Sequence, residues 1–208
     1  MSVPNQLTVM RIILTPLVMV LLRYDGLYFR CASLAVFFIA ALTDWYDGKM
    51  ARQLGEVSSL GKFLDPLADK ILVLSTLFAL AYFKFIALWM VVVIMSRDIV
   101  VTLLRVYAQW KQQPVVTSML AKAKTVSQMT AIYFIMILLI LQEVFFDAAS
   151  RPAWLKAIND YDAVGMMMHI VVWVTVFTAV QYLFDNRRHL RSLVLACIRV
   201  IAPGNLAK

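Results

Sequence analysis

Cysteine and charge are both scarce in this 208-residue chain. The two cysteines, Cys31 and Cys197, each lie in apolar sequence. They exclude a disulfide framework and a thiolate metal site, and buried inert thiols are expected. Asp, Glu, Lys and Arg together make up 15% of the residues, far below what coats a soluble domain. No repeat of fixed period, low-complexity tract or separate soluble segment interrupts the chain. One domain over residues 1–208 is the simplest organisation.

Apolar residues fill the place of the missing charge: 62% of the chain is hydrophobic, and the mean hydropathy is +0.80. That composition implies an all-α, polytopic membrane protein. Measured against roughly 20 residues per bilayer crossing, the apolar runs fall near 8–23, 28–46, 67–83, 87–108, 126–146 and 165–184, giving six spans. The first run contains Arg11 and Pro16 and has no small-residue cleavage pattern after Leu22, so a retained helix is preferred to a signal peptide.

Orientation follows from lysine and arginine, which accumulate in cytoplasmic segments. Twelve of them, within Lys49–Lys70, Lys111–Lys124 and Arg187–Lys208, share one side. The other side has Arg23, Arg30, Lys84, Arg151 and Lys156, offset by five acidic residues. Both termini are therefore expected in the cytoplasm. Trp45, Tyr46, Trp89, Trp110, Tyr161 and Tyr182 lie near span ends and read as interfacial anchors. The tail, residues 185–208, alternates basic and apolar residues over Arg187–Ile201, as a helix lying on an anionic membrane surface would.

Four aspartates stand out between the second and third runs. Asp44 and Asp47 are three apart, and Asp65 and Asp69 four apart, so each pair would project from one helix face. Left unpaired near the membrane, each carboxylate would cost up to roughly 2.5–3.5 kcal/mol. Lys49, Arg52, Lys62 and Lys70 offer a partial counter-charge, and a salt-bridged loop is the plainer reading. Carboxylates clustered with Gly48, Ala51 and Gly61 favour a divalent ion bridging to a bulky phosphate, because Mg²⁺ is usually held by a few carboxylates plus substrate phosphates. A small ion or solute transporter would also have acids close to the membrane. It would, however, show paired interrupted helices in corresponding halves of the chain, and none are apparent.

The spacing Asp44-x2-Asp47-Gly48-x2-Ala51-Arg52-x8-Gly61-x3-Asp65-x3-Asp69 resembles the signature of the CDP-alcohol phosphotransferases, with all eight fixed positions matched. These are integral membrane enzymes that join an alcohol to a cytidine-diphosphate-activated lipid and release CMP. The resemblance implies that Asp44, Asp47, Asp65 and Asp69 hold two divalent cations, Mg²⁺ or Mn²⁺, on the pyrophosphate of CDP-diacylglycerol. It also implies that Gly48, Ala51, Arg52 and Gly61 line the nucleotide pocket and that Asp69 is the general base. His169 and His189 lie far from this stretch in sequence, so no histidine is a candidate for a covalent phospho-enzyme. They read as a core and a solvated histidine. A single displacement follows.

A second constellation bears on the acceptor. "SRDIVVTLLR" puts Arg97 and Arg105 close to one helix face beside Asp98, and "LAKAKTVSQM" adds Lys122 and Lys124. Intramembrane arginines usually face a bundle interior or a polar cavity. These segments resemble the branch of the family that makes phosphatidylglycerophosphate from sn-glycerol 3-phosphate, although Asp98 stands where that branch more often has glutamate. Arg97, Arg105, Lys122 and Lys124 are the candidates for binding the acceptor phosphate. The plainer reading is an Arg97–Asp98 ion pair tying helices together, with the lysines as anchors. Near the amino terminus, Asn5, Thr8 and Arg11 are candidates for facing the nucleotide cavity. The resemblance further implies a homodimer in a bacterial inner membrane, surrounded by lipid and with no nucleic-acid partner.

Overall fold

The structure is a computed structural model, which describes the backbone of residues 3–54, 59–110, 120–146 and 152–187 and the side chains of 13–43, 70–108, 123–146 and 152–187. Among the described residues there are seven helices: α1 (Val3–Arg23), α2 (Leu27–Leu54), α3 (Ser59–Tyr82), α4 (Leu88–Trp110), α5 (Leu120–Val144), α6 (Ala153–Asp160) and α7 (Ala163–Asp185). The six long ones each overlap one of the apolar runs. They close into a ring in which α1 packs on α2, α2 on α5, α5 on α7, α7 on α4, α4 on α3 and α3 on α1. The short α6, which no hydropathy run announced, lies against α7 through its buried Leu155.

Tight turns with specific capping join the helices. At the end of α3, Lys84 takes a left-handed φ of 63° while the Phe85 N–H donates to the Leu80 carbonyl at 2.9 Å and the Lys84 N–H to that of Ala81 at 3.0 Å. This is the Schellman pattern, which satisfies carbonyls at a helix end. Before α7, Asp162 is the N-cap and its Oδ1 accepts from the Gly165 N–H at 3.1 Å. A Cβ at residue 165 would lie 2.0 Å from Asp162 Oδ2, so the cap requires glycine there.

The core is apolar, with Val18, Phe37, Leu77, Ile94, Ile132 and Met168 fully buried. The outside is apolar as well. On α7, Ile170, Trp173, Phe177, Val180 and Phe184 form an outward stripe at helical spacing, and Trp173 is 73% exposed. In water such a stripe would be an aggregation liability, whereas against lipid it is the expected surface. Among the described residues, two helices are long and apolar enough to cross a bilayer, Ala123–Val144 and Ala163–Asp185, with mean hydropathies of 1.8 and 2.0. The chain is a membrane protein. The α4 helix has 23 residues, and Arg97, Asp98 and Arg105 interrupt its apolar length.

Three expectations fail against this architecture. Cys31 is exposed, not buried, because an apolar neighbourhood in a membrane bundle marks the lipid face as readily as the core. Cys197 lies outside the described residues. His169 is exposed on α7, with its ring 5.7 Å from that of Trp89, and so is not a core histidine. Tyr182 is 3% exposed and packs against Val101 and Leu104. It is therefore no interfacial anchor, whereas Trp89 and Tyr161 are exposed near helix ends as anchors should be. Trp45, Tyr46, Trp110, His189 and the tail beyond Arg187 lie outside the residues whose side chains are described.

Candidate active site

The four aspartates sit on continuous helix. Asp44 and Asp47 fall within α2, which runs on to Leu54, and Asp65 and Asp69 fall within α3, which begins at Ser59. The stretch expected as a loop with flanking helix ends is thus mostly helix, with residues 55–58 between the two elements. Gly48, Ala51 and Arg52 are also on α2 and Gly61 is on α3, while Asn5, Thr8 and Arg11 are on α1 and Lys122 is on α5. The side chains of all these residues lie outside the described ones.

The described part of the site begins at Lys70, the residue after Asp69. Its Nζ donates to the backbone carbonyl of Asp98 at 3.3 Å and to the Thr102 hydroxyl. The Thr102 hydroxyl donates in turn to the same carbonyl at 2.6 Å. The aspartate-bearing helix is thereby tied to α4. Beside this tie lies a cavity of about 480 Å³ between α1, α3 and α4, with Lys70, Asp98 and Thr102 at its polar edge and Met19, Leu74 and Phe78 among its apolar walls.

On the inner side of α4, Asp98 gathers two of the expected cations. Arg97 Nη1 donates to Asp98 Oδ1 at 3.2 Å, and the Lys124 ammonium pairs with Oδ2. Arg97 Nη2 also reaches the Thr178 hydroxyl of α7 at 3.3 Å. One carboxylate therefore links α4 to α5, and its neighbouring guanidinium links α4 to α7. Arg97 and Asp98 do form the ion pair of the plainer reading, but it lies within α4 and ties no helices; the ties are Asp98 to Lys124 and Arg97 to Thr178, and Lys124 is buried and so no anchor.

Pairing does not exhaust the layer. Arg97 and Lys124 share Asp98, the one carboxylate that the described residues place against them. Arg97 Nε, Arg105 Nε, Gln128 Nε2, Thr175 Oγ1, Gln181 Oε1 and Tyr182 OH are buried without a hydrogen-bond partner among the described residues. Each such atom costs about 1–3 kcal/mol when left unsatisfied. These atoms belong to α4, α5 and α7, the helices that the Asp98 and Arg97 contacts join.

Residues 1–181 match the family model described as CDP-alcohol phosphatidyltransferase. The chain belongs to that family. Among similar proteins, the CDP-diacylglycerol–glycerol-3-phosphate 3-phosphatidyltransferase of Bacillus subtilis is 33% identical over 203 residues, covering 92% of this chain and 98% of that protein. The protein of the same name from Salmonella choleraesuis is 32% identical over 143 residues, 65% of this chain and 76% of its own. A probable phosphatidylglycerophosphate synthase of Mycobacterium tuberculosis is 30% identical over 184 residues, 87% of this chain and 79% of its own.

In this phosphatidyltransferase-family chain, the sequence reading missed Lys70 as the link between helices and Gln128, Thr175 and Thr178 as members of the buried layer. Lys70 was counted only as local counter-charge. Gln128 enters the sequence reading only as the last position of Lys122-x-Lys124-Thr125-x-x-Gln128, the segment that resembles the glycerol 3-phosphate branch, and the two threonines carry no signal in an apolar span.

Proposed function

We propose that this chain transfers the phosphatidyl group of CDP-diacylglycerol to sn-glycerol 3-phosphate, releasing CMP and phosphatidylglycerophosphate. The observation that carries the choice of acceptor is the buried layer of α4, α5 and α7. It has positive charge and unpartnered guanidinium nitrogens one hydrogen-bonded step, through Lys70, from the aspartate helix. Such a site suits a phosphate, since charge-assisted hydrogen bonds are the strong ones. The printed names of the relatives agree with that chemistry.

Asp44, Asp47, Asp65 and Asp69 would hold two divalent cations, Mg²⁺ or Mn²⁺. The donor set is all oxygen, and the helical backbone carries each pair at one-turn spacing on neighbouring elements, which fits hard ions. When bound, such ions neutralise the pyrophosphate and the charge developing on departing CMP. The protein's own residues do the rest. Gly48, Ala51, Arg52 and Gly61 admit the nucleotide, with Asn5, Thr8 and Arg11 at the rim. The cavity beside Lys70 accepts an acyl chain of the donor. Arg97, Arg105, Lys122 and Lys124 orient the acceptor through its phosphate. Asp69 takes the proton of the terminal hydroxyl as its oxygen bonds to the lipid-bearing β-phosphorus and the bond from that phosphorus to CMP breaks.

The six long helices form one domain that crosses a bacterial inner membrane six times, with both termini and the site on the cytoplasmic side, and pairs as a homodimer. Full-length protein incubated with labelled CDP-diacylglycerol, Mg²⁺ and a panel of alcohols tests the reading. CMP release dependent on glycerol 3-phosphate is the expected result. Dependence on serine, inositol phosphate or phosphatidylglycerol instead, or no release with any alcohol, would overturn it.

A further inference from the structure

We propose that Gln128 and Thr175 form a hydroxyl-reading pocket at the inner end of the basic layer, selecting acceptors that carry a second hydroxyl beside the one that attacks. The inference rests on the acceptor assigned above and adds what distinguishes a glycerol phosphate from a simpler alcohol phosphate.

The register of three helices places the two residues. The α4 and α7 helices advance together: Arg97 meets Thr178, and one turn on, Val101 and Leu104 pack on Tyr182. The α5 helix runs the other way, with Lys124 on Asp98 and Ala131 and Ile132 in the core cluster that holds Ile94, Val171 and Val172. Gln128 is one turn from Lys124 toward that apolar cluster, and Thr175 is one turn from Thr178 in the same direction. Both therefore lie between the charged groups and the apolar floor.

Burial and partners give them a purpose. Gln128 is 1% exposed and Thr175 is 0% exposed, yet Gln128 Nε2 and Thr175 Oγ1 have no partner among the described residues. Helical threonines usually return the hydroxyl to their own helix. Thr76 bonds Leu72 O at 2.8 Å, Thr102 bonds Asp98 O at 2.6 Å and Thr178 bonds Thr175 O at 3.0 Å. Thr175 does not. Uncharged groups add nothing to phosphate neutralisation, which falls to the cations assigned above. An amide N–H and a hydroxyl match an alcohol, which accepts from one and donates to the other. A site built to bond a hydroxyl strongly rejects the analogue that lacks it.

Steady-state kinetics of the full chain with CDP-diacylglycerol and Mg²⁺ test this, comparing sn-glycerol 3-phosphate with 3-hydroxypropyl phosphate, which lacks the secondary hydroxyl. Wild type should prefer glycerol 3-phosphate by roughly 100-fold or more in kcat/KM. Gln128→Met and Thr175→Val should each lower that preference by about tenfold or more, with KM for CDP-diacylglycerol unchanged, and Thr175→Ser should retain it. If Gln128→Met does not fold, the Thr175 pair decides. Undiminished preference in Thr175→Val, or no preference in wild type, overturns the pocket. Failure of wild type to use either phosphate overturns the acceptor assignment instead.

Discussion

Arg30 is buried and Arg97 partly so in an apolar bundle, and their surroundings differ in a way that bears on scaffold and proposed site. Arg30, near the start of α2, donates to the Leu22 carbonyl at 2.9 Å and to Asp25 at 2.6 Å, stands 3.9 Å from Glu143, and lies 5.0 Å over the Phe85 ring. Glu143 also accepts from the Gly26 N–H at 3.3 Å, where Gly26 turns α1 into α2 with a φ of +114°. Four segments are stapled by one guanidinium, whose Nη1 and Nη2 both donate and whose Nε faces Glu143. Arg97 shares its one carboxylate with Lys124 and leaves Nε unsatisfied, and Arg105 two turns on also leaves its Nε unsatisfied. Filled donors fit a structural cluster, while unmet donors fit the proposed acceptor site, where a ligand would complete the bonding.

The comparison can be tested by breaking each part in turn, beginning with the chemistry that lies outside both clusters. Asp69→Asn should reduce turnover about 10³-fold, within the range for loss of a general base. Binding of CDP-diacylglycerol, followed with a labelled donor, should persist. Unimpaired CMP release by that variant would remove the base from Asp69.

Next in size is the basic layer. Lys124→Ala should raise KM for glycerol 3-phosphate by about 10- to 100-fold, in line with the loss of one charge-assisted contact. KM for the lipid donor should stay within twofold. An unchanged acceptor KM in Lys122→Ala and Lys124→Ala would leave those lysines as anchors or struts.

The staple should respond in the opposite sense. Arg30→Met should lower stability by about 2 kcal/mol, less than for a fully buried pair because Asp25 is 88% exposed and Glu143 partly so. Thermal inactivation in detergent would read this out, and the KM for either substrate should not move. Glu143→Gln keeps an oxygen for the Gly26 N–H and should cost about 0.5 kcal/mol. A large loss of acceptor affinity in either variant would erase the distinction between the two clusters.

Much of the fold was legible in the sequence, because each apolar run became a long helix. What hydropathy could not show was where those helices end. The α2 helix passes position 46 and continues to Leu54 through Lys49-Met50-Ala51-Arg52-Gln53-Leu54, all strong helix formers. Charge ended the apolar run there without ending the helix. The eight-residue α6 escaped because it is too short to leave a hydropathy run. Arg97, Arg105 and Lys124 stand out in the sequence as candidates because charge in an apolar span needs a reason. Thr175, Thr178 and Gln128 carry no charge, and only the packing of α4, α5 and α7 shows that they share an interior face. Tyr182 was misread for the related reason that nearness to a helix end does not say which way the ring points.

The most direct measurement is equilibrium binding of labelled sn-glycerol 3-phosphate to the full chain with divalent cations chelated, so that nothing turns over. Saturable binding that inorganic phosphate displaces, weakened at least about tenfold in Arg105→Gln and unchanged in Arg30→Met, is the predicted result. Equal affinity in Arg105→Gln and wild type, or equal weakening in both variants, would contradict the assignment of the α4 layer as the acceptor site.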